Sequence, residues 1–302
     1  MQKVILHVGH AKTGTSYLQS LFALNTEFLD RHGIHYPEAP DHAKAKQGKI
    51  TSGNHRLLLN SEINFGGMDQ VLFSGEHLFV ELLDGNMIRE LRQNYDVKIF
   101  LYTRNLFDFA LSDWGQQVKR HGLTSDLNSF VMKKGYNLYQ HVLAWITMCE
   151  EVGAEIIVRN YTQWKSNLAE IFFGDLIGHD ADLSTLKHPP QRQVNRSLTQ
   201  TEYELQRIFN ALMGQPRASF FSDYVVENFP ELRSEPPHLI EETCEKVVKK
   251  YQSIVDTLNE RMLHGERVSL SYSKYLNRDR NSLHVMSETD IQALASEITK
   301  NI

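Results

Sequence analysis

The segment from Lys3 to Leu21, KVILHVGHAKTGTSYLQSL, constrains the fold of this chain more than any other. It begins with a short apolar run rich in β-branched residues, which predicts a strand buried on both faces. Gly9 and Gly14 then bound a polar interval, and the apolar residues that follow recur with the period of an amphipathic helix. A buried strand that leads through a glycine-bounded turn into a helix favours an α/β fold with a parallel sheet.

The interval between the two glycines predicts an anion site. Lys12 and Thr13 lie inside it, and Thr15 and Ser16 stand at the start of the predicted helix. The first N–H groups of a helix have no partner within the helix, and the helix dipole favours negative charge, so a phosphate or sulfate fits this position. The motif is not that of the nucleotide triphosphatases, which need lysine directly after the second glycine. An ordinary tight turn between strand and helix stays open as the alternative for this segment alone.

Composition narrows the class of protein. The 302 residues, 41% of them hydrophobic, suffice for one large α/β domain. No apolar run approaches the ~18 residues of a membrane span, and the chain starts directly with a strand rather than a secretory signal. The 2 cysteines, Cys149 and Cys244, fit a reducing compartment, so a cytoplasmic location is expected. The net charge of −5 argues against nucleic acid as the main partner.

Strands and helices alternate along the first half of the chain. This alternation predicts right-handed crossovers and a central parallel sheet flanked by helices. Residues 36–66 are polar and rich in turn formers, and a loop is expected there. The further predicted strands are Gln70–Ser74, Val97–Thr103 and Glu155–Val158, and the predicted helices between and beside them are Glu81–Tyr95, Leu106–His121 and Tyr139–Val152.

The last third of the chain is predicted to be mostly helical. Thr199 and Glu202 have the spacing of a capping box before a helix that carries Ile208 and Leu212. Pro236 and Pro237 are expected at the start of a long helix. The predicted organisation is a single domain over 1–302, with a core over 1–215 and a helical extension over 216–302.

A second signal lies at the end of the third predicted strand. Arg104 directly follows that strand, and Ser112 comes eight residues later on the next helix. Because parallel sheets bind ligands at the carboxyl ends of their strands, both residues are expected near the first loop. A guanidinium binds phosphate with two parallel hydrogen bonds, so this pair predicts a second phosphate site. The alternative is a surface arginine paired with Asp108 or Asp113.

The first loop and the segment YTRNLFDFALSDWGQQVKRHG together resemble the sulfotransferases that use 3′-phosphoadenosine 5′-phosphosulfate (PAPS), in particular bacterial carbohydrate-type members. The resemblance covers residues 1–215 and implies a P-loop-type central parallel sheet, PAPS as donor, adenosine 3′,5′-bisphosphate as product and no metal. Two departures stand out: Gly9-His10-Ala11 replaces the common Tyr-Pro-Lys-Ser, and the family's Arg-Lys-Gly signature is absent. The residues implied to bind the donor are Ala11, Lys12, Thr13, Gly14, Thr15, Ser16, Arg104, Ser112, Asn195 and Arg196.

The resemblance also implies a base at the end of the second predicted strand. Many sulfotransferases place Glu or His there to deprotonate the acceptor, and this chain has Glu76 followed by His77. Glu76 is the first candidate and His77 the second, and the choice stays open. The alternative for Glu76 is an acid at a helix N-terminus, favoured by the dipole. Lys12 is implied to stabilise charge on the leaving oxygen.

The acceptor is harder to read. His55, in the polar stretch, and Trp114 and Gln116, on the helix after Arg104, are the candidate acceptor contacts. A glycan or other small polar molecule bearing a hydroxyl or amine is expected from the resemblance, and the oligomeric state is not predicted. The chain has no H-E-x-x-H motif, so no catalytic metal is expected. Two rivals remain open: a P-loop kinase or nucleotide hydrolase, and a non-catalytic nucleotide-binding protein of the same fold.

Overall fold

The computed structural model describes residues 1–49, 51–190, 197–215, 218–229, 232, 237–262 and 265–276. The chain forms two compact units, and each is built from separate stretches of sequence. The first unit comprises Met1–Asn105, Tyr136–Gln191 and Gln252–Ser269, and the second comprises Leu106–Gly135, Arg192–Tyr251 and Leu270–Ile302. The single domain over 1–302 stays a prediction.

A parallel sheet of five strands forms the centre of the first unit, in the spatial order β2-β3-β1-β4-β5. The register pairs Lys3 of β1 with Gln70 of β3 on one side and with Asp96 of β4 on the other. The predicted α/β fold with a parallel sheet flanked by helices is therefore confirmed. The strands are β1 (Lys3–Gly9), β2 (Ile34–His35), β3 (Gln70–Ser74), β4 (Asp96–Thr103) and β5 (Glu155–Asn160).

Helices connect the strands and make up most of the remaining described structure. In chain order they are α1 (Thr15–Leu24), α2 (Thr26–Arg31), α3 (His42–Lys46), α4 (His55–Leu59), α5 (Leu78–Glu81), α6 (Asn86–Asn94), α7 (Leu106–Arg120), α8 (Leu127–Lys133), α9 (Leu138–Val152), α10 (Tyr161–Trp164), α11 (Leu168–Ile177), α12 (Gln200–Met213), α13 (Ser219–Asn228) and α14 (Glu241–Arg261), with a 3₁₀ turn at Ser273–Tyr275. None of the helices in the described ranges has the length and apolar character that crossing a membrane requires.

One face of the sheet packs against α1 and α11. Side chains alternate between the two faces of a strand, so Ile5 of β1 and Phe100 of β4 share this face. Phe22 of α1 and Phe172 of α11 are fully buried here, with their ring centroids 4.9 Å apart. Burying an aromatic side chain of this size contributes about 1.5–3 kcal/mol, so this layer fixes α1 on the sheet.

Helices α6 and α9 cover the other face of the sheet. Both helices pack against β4, and they also pack against each other. Trp145 of α9 is fully buried and donates its indole N–H to the carbonyl oxygen of Phe79, at 3.0 Å. A buried indole needs such a partner because an unsatisfied N–H in the core is costly. The bond ties α9 to the segment that follows β3.

The second unit contains α7, α12 and α13 packed together. The predicted capping box is confirmed at the start of α12, where Thr199 Oγ1 accepts from the Glu202 amide and the Glu202 carboxylate accepts from the Thr199 amide. Asn210 of α12 donates to the carbonyl oxygens of Val118 and Leu123, at 2.8 and 2.9 Å. Polar side chains therefore join α12 to the end of α7.

Three predicted boundaries were wrong. The helix predicted over Glu81–Tyr95 begins only at Asn86, as α6, because α5 ends at Glu81 and Gly85 adopts φ 73° before α6. The last long helix begins at Glu241, beyond Pro236 and Pro237. The stretch 36–66 is not simply a loop, since it contains α3 and α4.

Candidate functional site

The carboxyl ends of three neighbouring strands, β3, β1 and β4, define the candidate site. From β1 the chain proceeds towards β3 on one side, whereas from β4 it proceeds to β5 on the other. Strands whose connections run in opposite directions leave a crevice between them, and open α/β sheets bind ligands there. The loop after β1 and Arg104 after β4 flank this crevice.

The loop between β1 and α1 has a strained and tightly packed backbone. Lys12 adopts φ 70° and Gly14 φ 78°, both in the left-handed region. Thr13 is fully buried and donates its hydroxyl to the carbonyl oxygen of His10, at 2.7 Å. A Cβ added at Gly9 would lie 2.6 Å from Thr13 Oγ1 and 2.8 Å from Thr15 Oγ1, so only glycine fits there. A non-glycine residue held at positive φ is characteristic of functional loops.

The N-terminus of α1 has the features of an anion site. Gly14 is its N-cap residue, no side chain caps the helix, and its first turn carries no acidic residue. Thr15 is 5% exposed, and its Oγ1 has no hydrogen-bond partner among the described residues. A buried hydroxyl is normally paired, so Thr15 indicates a missing partner at the N-terminus of the helix. A phosphate or sulfate oxygen suits both the hydroxyl and the helix dipole.

Arg104 and the loop come together in the structure. The guanidinium Nη1 donates to the carbonyl oxygen of Lys12, at 3.0 Å. The guanidinium carbon lies 5.4 Å from the ring centroid of Tyr161, and the Arg104 carbonyl accepts from the hydroxyl of Tyr139, at 3.2 Å. Arg104 Nε has no hydrogen-bond partner among the described residues, which leaves donor capacity on its side of the crevice.

Histidines near the loop are held neutral. The pKa of His10 is lowered to about 3, mainly by burial and in part by the nearby positive charge of Arg104, against the opposing effect of its hydrogen bond to the Ala11 carbonyl. Burial likewise lowers the pKa of His7, in β1, to about 3. Positive charge at this edge of the sheet therefore comes from Lys12 and Arg104 and not from these imidazoles.

The end of β3 carries the predicted bases. Glu76 and His77 follow the strand after Gly75 and are exposed. His55, from the polar stretch, is 3% exposed, and its ring centroid lies 5.3 Å from that of His77. The structure thus brings His55 and His77 together beside β3, whereas the roles of Glu76 and His77 as bases stay predictions.

The segment that carries His55 is anchored to the sheet. Asn54 accepts from the Ser74 amide, at 2.7 Å, and donates to the carbonyl oxygens of Pro37 and Leu72. Gly53, at φ 73°, approaches the Ser74 carbonyl so closely that an added Cβ would lie 2.1 Å from the oxygen. These contacts fix residues of a polar stretch at the edge of the sheet where the loop and Arg104 lie.

The remaining predicted site residues lie in the second unit or outside the described residues. Ser112, Trp114 and Gln116 lie on α7, in the second unit, and their roles stay predictions. Trp114 is buried there and donates its indole N–H to the Ser125 carbonyl oxygen, at 3.1 Å. Asn195 and Arg196 lie outside the described residues.

Sequence reasoning missed two residues of the site, Tyr161 and Asn54. Tyr161 lies beside the Arg104 guanidinium, and Asn54 holds the His55 segment on β3. The three-residue run Gly53-Asn54-His55 was the available signal, since a glycine and an amide beside a histidine are typical of an anchored turn. No cluster of three or more metal-ligating side chains occurs within the described ranges.

Comparisons with known proteins add little. No protein-family model matches the chain, and no curated protein matches it. Among solved structures, a sulfotransferase from Alicyclobacillus acidocaldarius is similar over 85% of this chain and 94% of its own, with a TM-score of 0.41 and 12% sequence identity. Similarity of this degree does not define a family or an activity for this chain.

Proposed function

We propose that this chain is a sulfotransferase that moves a sulfuryl group from PAPS to a hydroxyl or amine acceptor. The observation that carries the proposal is the hydrogen bond from Arg104 to the Lys12 carbonyl, at the crevice between β1 and β4. It joins the two motifs that resemble the donor-binding motifs of that family. The uncapped N-terminus of α1 and the buried Thr15 hydroxyl support an anion at the same place.

The residues fit the donor through their chemistry. The loop amides, Thr15 and Ser16 suit the 5′-phosphate and sulfonate oxygens, and Arg104 suits the 3′-phosphate. Lys12 would stabilise the negative charge that grows on the leaving phosphate oxygen, where electrostatic stabilisation acts on the transition state. The sulfonate carries less charge than a terminal phosphoryl group, so these side chains suffice without a metal clamp.

The acceptor must lose a proton as its oxygen or nitrogen bonds to sulfur. A general base contributes about 10²–10⁴-fold to such a step. The side chains beside the end of β3 are the candidates, with Glu76 and His77 the residues that the sequence predicts. A glycan or another polar metabolite is the acceptor class that we propose.

Calorimetry separates this proposal from a P-loop kinase or hydrolase. We expect adenosine 3′,5′-bisphosphate to bind at least tenfold more tightly than ATP–Mg²⁺, because the loop lacks the lysine after the second glycine. Tighter binding of ATP–Mg²⁺ would favour the kinase or hydrolase. Transfer of labelled sulfate from PAPS over a panel of sugar and amine acceptors then distinguishes an enzyme from a non-catalytic binding protein.

The role of Arg104 is tested with two substitutions. Arg104→Ala is expected to weaken binding of adenosine 3′,5′-bisphosphate far more than binding of AMP, since only the former has a 3′-phosphate. Arg104→Lys keeps the charge and loses the planar fork, so an intermediate loss is expected. Equal losses for the two ligands would mean that Arg104 acts by holding the Lys12 carbonyl and does not bind the 3′-phosphate.

A further inference from the structure

His55 has a fixed ring orientation and a defined tautomer. Its Nδ1 lies 2.8 Å from the carbonyl oxygen of Ser52. A carbonyl can only accept, so Nδ1 carries the proton and the neutral ring keeps its lone pair on Nε2. No described residue forms a hydrogen bond with Nε2. This is the arrangement in which an imidazole accepts a proton from a bound hydroxyl or amine.

The backbone around His55 leaves the ring little freedom to move. A Cβ added at Gly75 would lie 2.5 Å from His55 Cβ and 2.8 Å from its Nδ1, so the imidazole lies directly on the glycine backbone. The preceding residue, Asn54, is hydrogen-bonded to β3 on both of its amide atoms. Proton transfer is efficient when the base is held in place by such packing.

His55 is also anchored near the loop that carries Lys12. The Gly75 amide donates to the carbonyl oxygen of His7, at 3.2 Å, two residues before the loop begins at Gly9. On the other side, Thr51 donates to the side chain of Gln19, which lies one turn into α1. The segment therefore contacts both the strand that leads into the loop and the helix that leaves it.

Burial keeps His55 in the neutral, basic form. Burial is the largest effect and lowers its pKa, and the neighbouring His77 and Arg56 lower it further. The hydrogen bond to Ser52 and the charge of Glu81 act in the opposite direction. Since the net direction is downward from the ordinary value near 6.5, the ring is neutral at pH 7.

We propose that His55 is the catalytic base for the acceptor, a role that rests on the proposed sulfuryl transfer. The acceptor proton moves to Nε2 while the acceptor oxygen or nitrogen bonds to sulfur. The bond from sulfur to the 5′-phosphate oxygen breaks, and its electron pair stays on adenosine 3′,5′-bisphosphate. The imidazolium then releases its proton to solvent, so no oxidant, reductant or metal is needed. Glu76 and His77, which are exposed, are then not the base.

The decisive variants keep or remove single features of the ring. His55→Asn places an amide donor where Nδ1–H lies and lacks Nε2, whereas His55→Gln approximates the reach of Nε2 without its basicity. Both are expected to lower transfer from labelled PAPS, to the sugar and amine panel and to water, by about 10²-fold or more. The dissociation constant for adenosine 3′,5′-bisphosphate is expected to stay within twofold. His32→Gln is the matched control, because His32 Nδ1 also lies 2.8 Å from a backbone carbonyl but the residue is exposed.

The pH profile distinguishes a base from a merely structural histidine. His77→Gln removes a charge that lowers the pKa of His55, so the acid limb of transfer should move to higher pH. Glu81→Gln removes a charge that raises it, so the acid limb should move to lower pH. Opposite shifts from two neighbouring exposed groups require a titrating group between them, and identical profiles would overturn the proposal.

Two further outcomes are informative. Histidine ¹⁵N NMR at pH 7.5 is expected to show His55 protonated on Nδ1, and the opposite tautomer would overturn the proposal without reference to activity. Loss of transfer confined to Glu76→Gln would identify Glu76 as the base instead. Failure of the wild type to bind adenosine 3′,5′-bisphosphate would contradict the proposed function, whereas binding without transfer to any acceptor or to water would contradict the catalytic role of His55.

Discussion

At the scale of single residues, Lys12 combines a charge with an unfavourable backbone conformation. Within the described ranges, Lys12 and Ser61 are the two non-glycine residues at positive φ. Such a conformation costs on the order of 1–3 kcal/mol and persists only where surrounding contacts impose it. The bond from Arg104 to the Lys12 carbonyl is one such contact, so the orientation of this lysine depends on the residue that directly follows β4.

Lys12→Ala tests the charge separately from the backbone. We expect turnover of PAPS to fall about 10²-fold or more, because the ammonium acts on charge that develops only in the transition state. The dissociation constant of adenosine 3′,5′-bisphosphate should change less than threefold by calorimetry. Lys12→Gly is the matched control: it should be equally inactive and more stable than Lys12→Ala, since glycine adopts φ 70° without strain. Turnover near that of the wild type in either variant would refute the role of Lys12.

At the scale of elements, the polar stretch 36–66 is held on the sheet by close backbone contacts. Gly53 lies at φ 73°, and an added Cβ would lie 2.1 Å from the Ser74 carbonyl oxygen and 2.6 Å from the Gln19 side chain. Gly33 has the same φ of 73°, but an added Cβ there meets no atom within 4 Å. Alanine substitutions at Gly33 and Gly53 therefore separate the cost of backbone strain at positive φ from the cost of the close contact at Gly53.

Gly33→Ala is expected to lower the free energy of unfolding by about 1 kcal/mol, the cost of placing alanine at positive φ. Gly53→Ala carries the same cost and also an overpacking cost, typically about 1–3 kcal/mol, because the contact is with backbone that cannot move aside. Urea unfolding of both variants measures the difference. Equal losses would show that the His55 segment is not anchored at Ser74.

The elements themselves were predictable where the pattern of apolar residues is local. β1, β3, β4 and β5 each carry a continuous apolar run, and their positions were predicted to within a few residues. β2 has only two residues and no such run. On α12 the apolar residues misled, since Ile208 and Leu212 are 53% and 76% exposed while Gln206 and Asn210 are buried. The buried face of α12 is set by hydrogen bonds of Gln206 and Asn210 within the second unit. The spacing of apolar residues gives no indication of such bonds.

At the scale of the whole molecule, strand order explains which parts of the site were predictable. The loop after β1 and Arg104 after β4 follow from the rule that parallel strands present their carboxyl ends at one edge. The position of His55 does not, because it depends on Asn54 and Gly53 docking on β3 through contacts distant in sequence. Composition gives a net charge of −5 and no sign that His7 and His10 are buried and neutral.

Those buried histidines predict how the stability of the protein depends on pH. His7 and His10 have pKa values of about 3 in the folded chain, against about 6.5 when unfolded. Below pH 6.5 the unfolded chain binds protons that the folded chain does not, so stability is fully present above that pH and falls as the pH falls towards 3. Each histidine contributes a slope approaching about 1.4 kcal/mol per pH unit.

Urea unfolding of the wild type between pH 7 and pH 5 is therefore expected to show a free energy of unfolding that decreases steadily. His7→Gln removes one of the two titrations, and its decrease over this interval should be smaller by about 2 kcal/mol, whatever its stability at pH 7. The substitution keeps a polar side chain opposite Ser74, whose Oγ lies 2.8 Å from His7 Nδ1. Parallel curves for the wild type and His7→Gln would mean that His7 takes up its proton in the folded chain as readily as in the unfolded one.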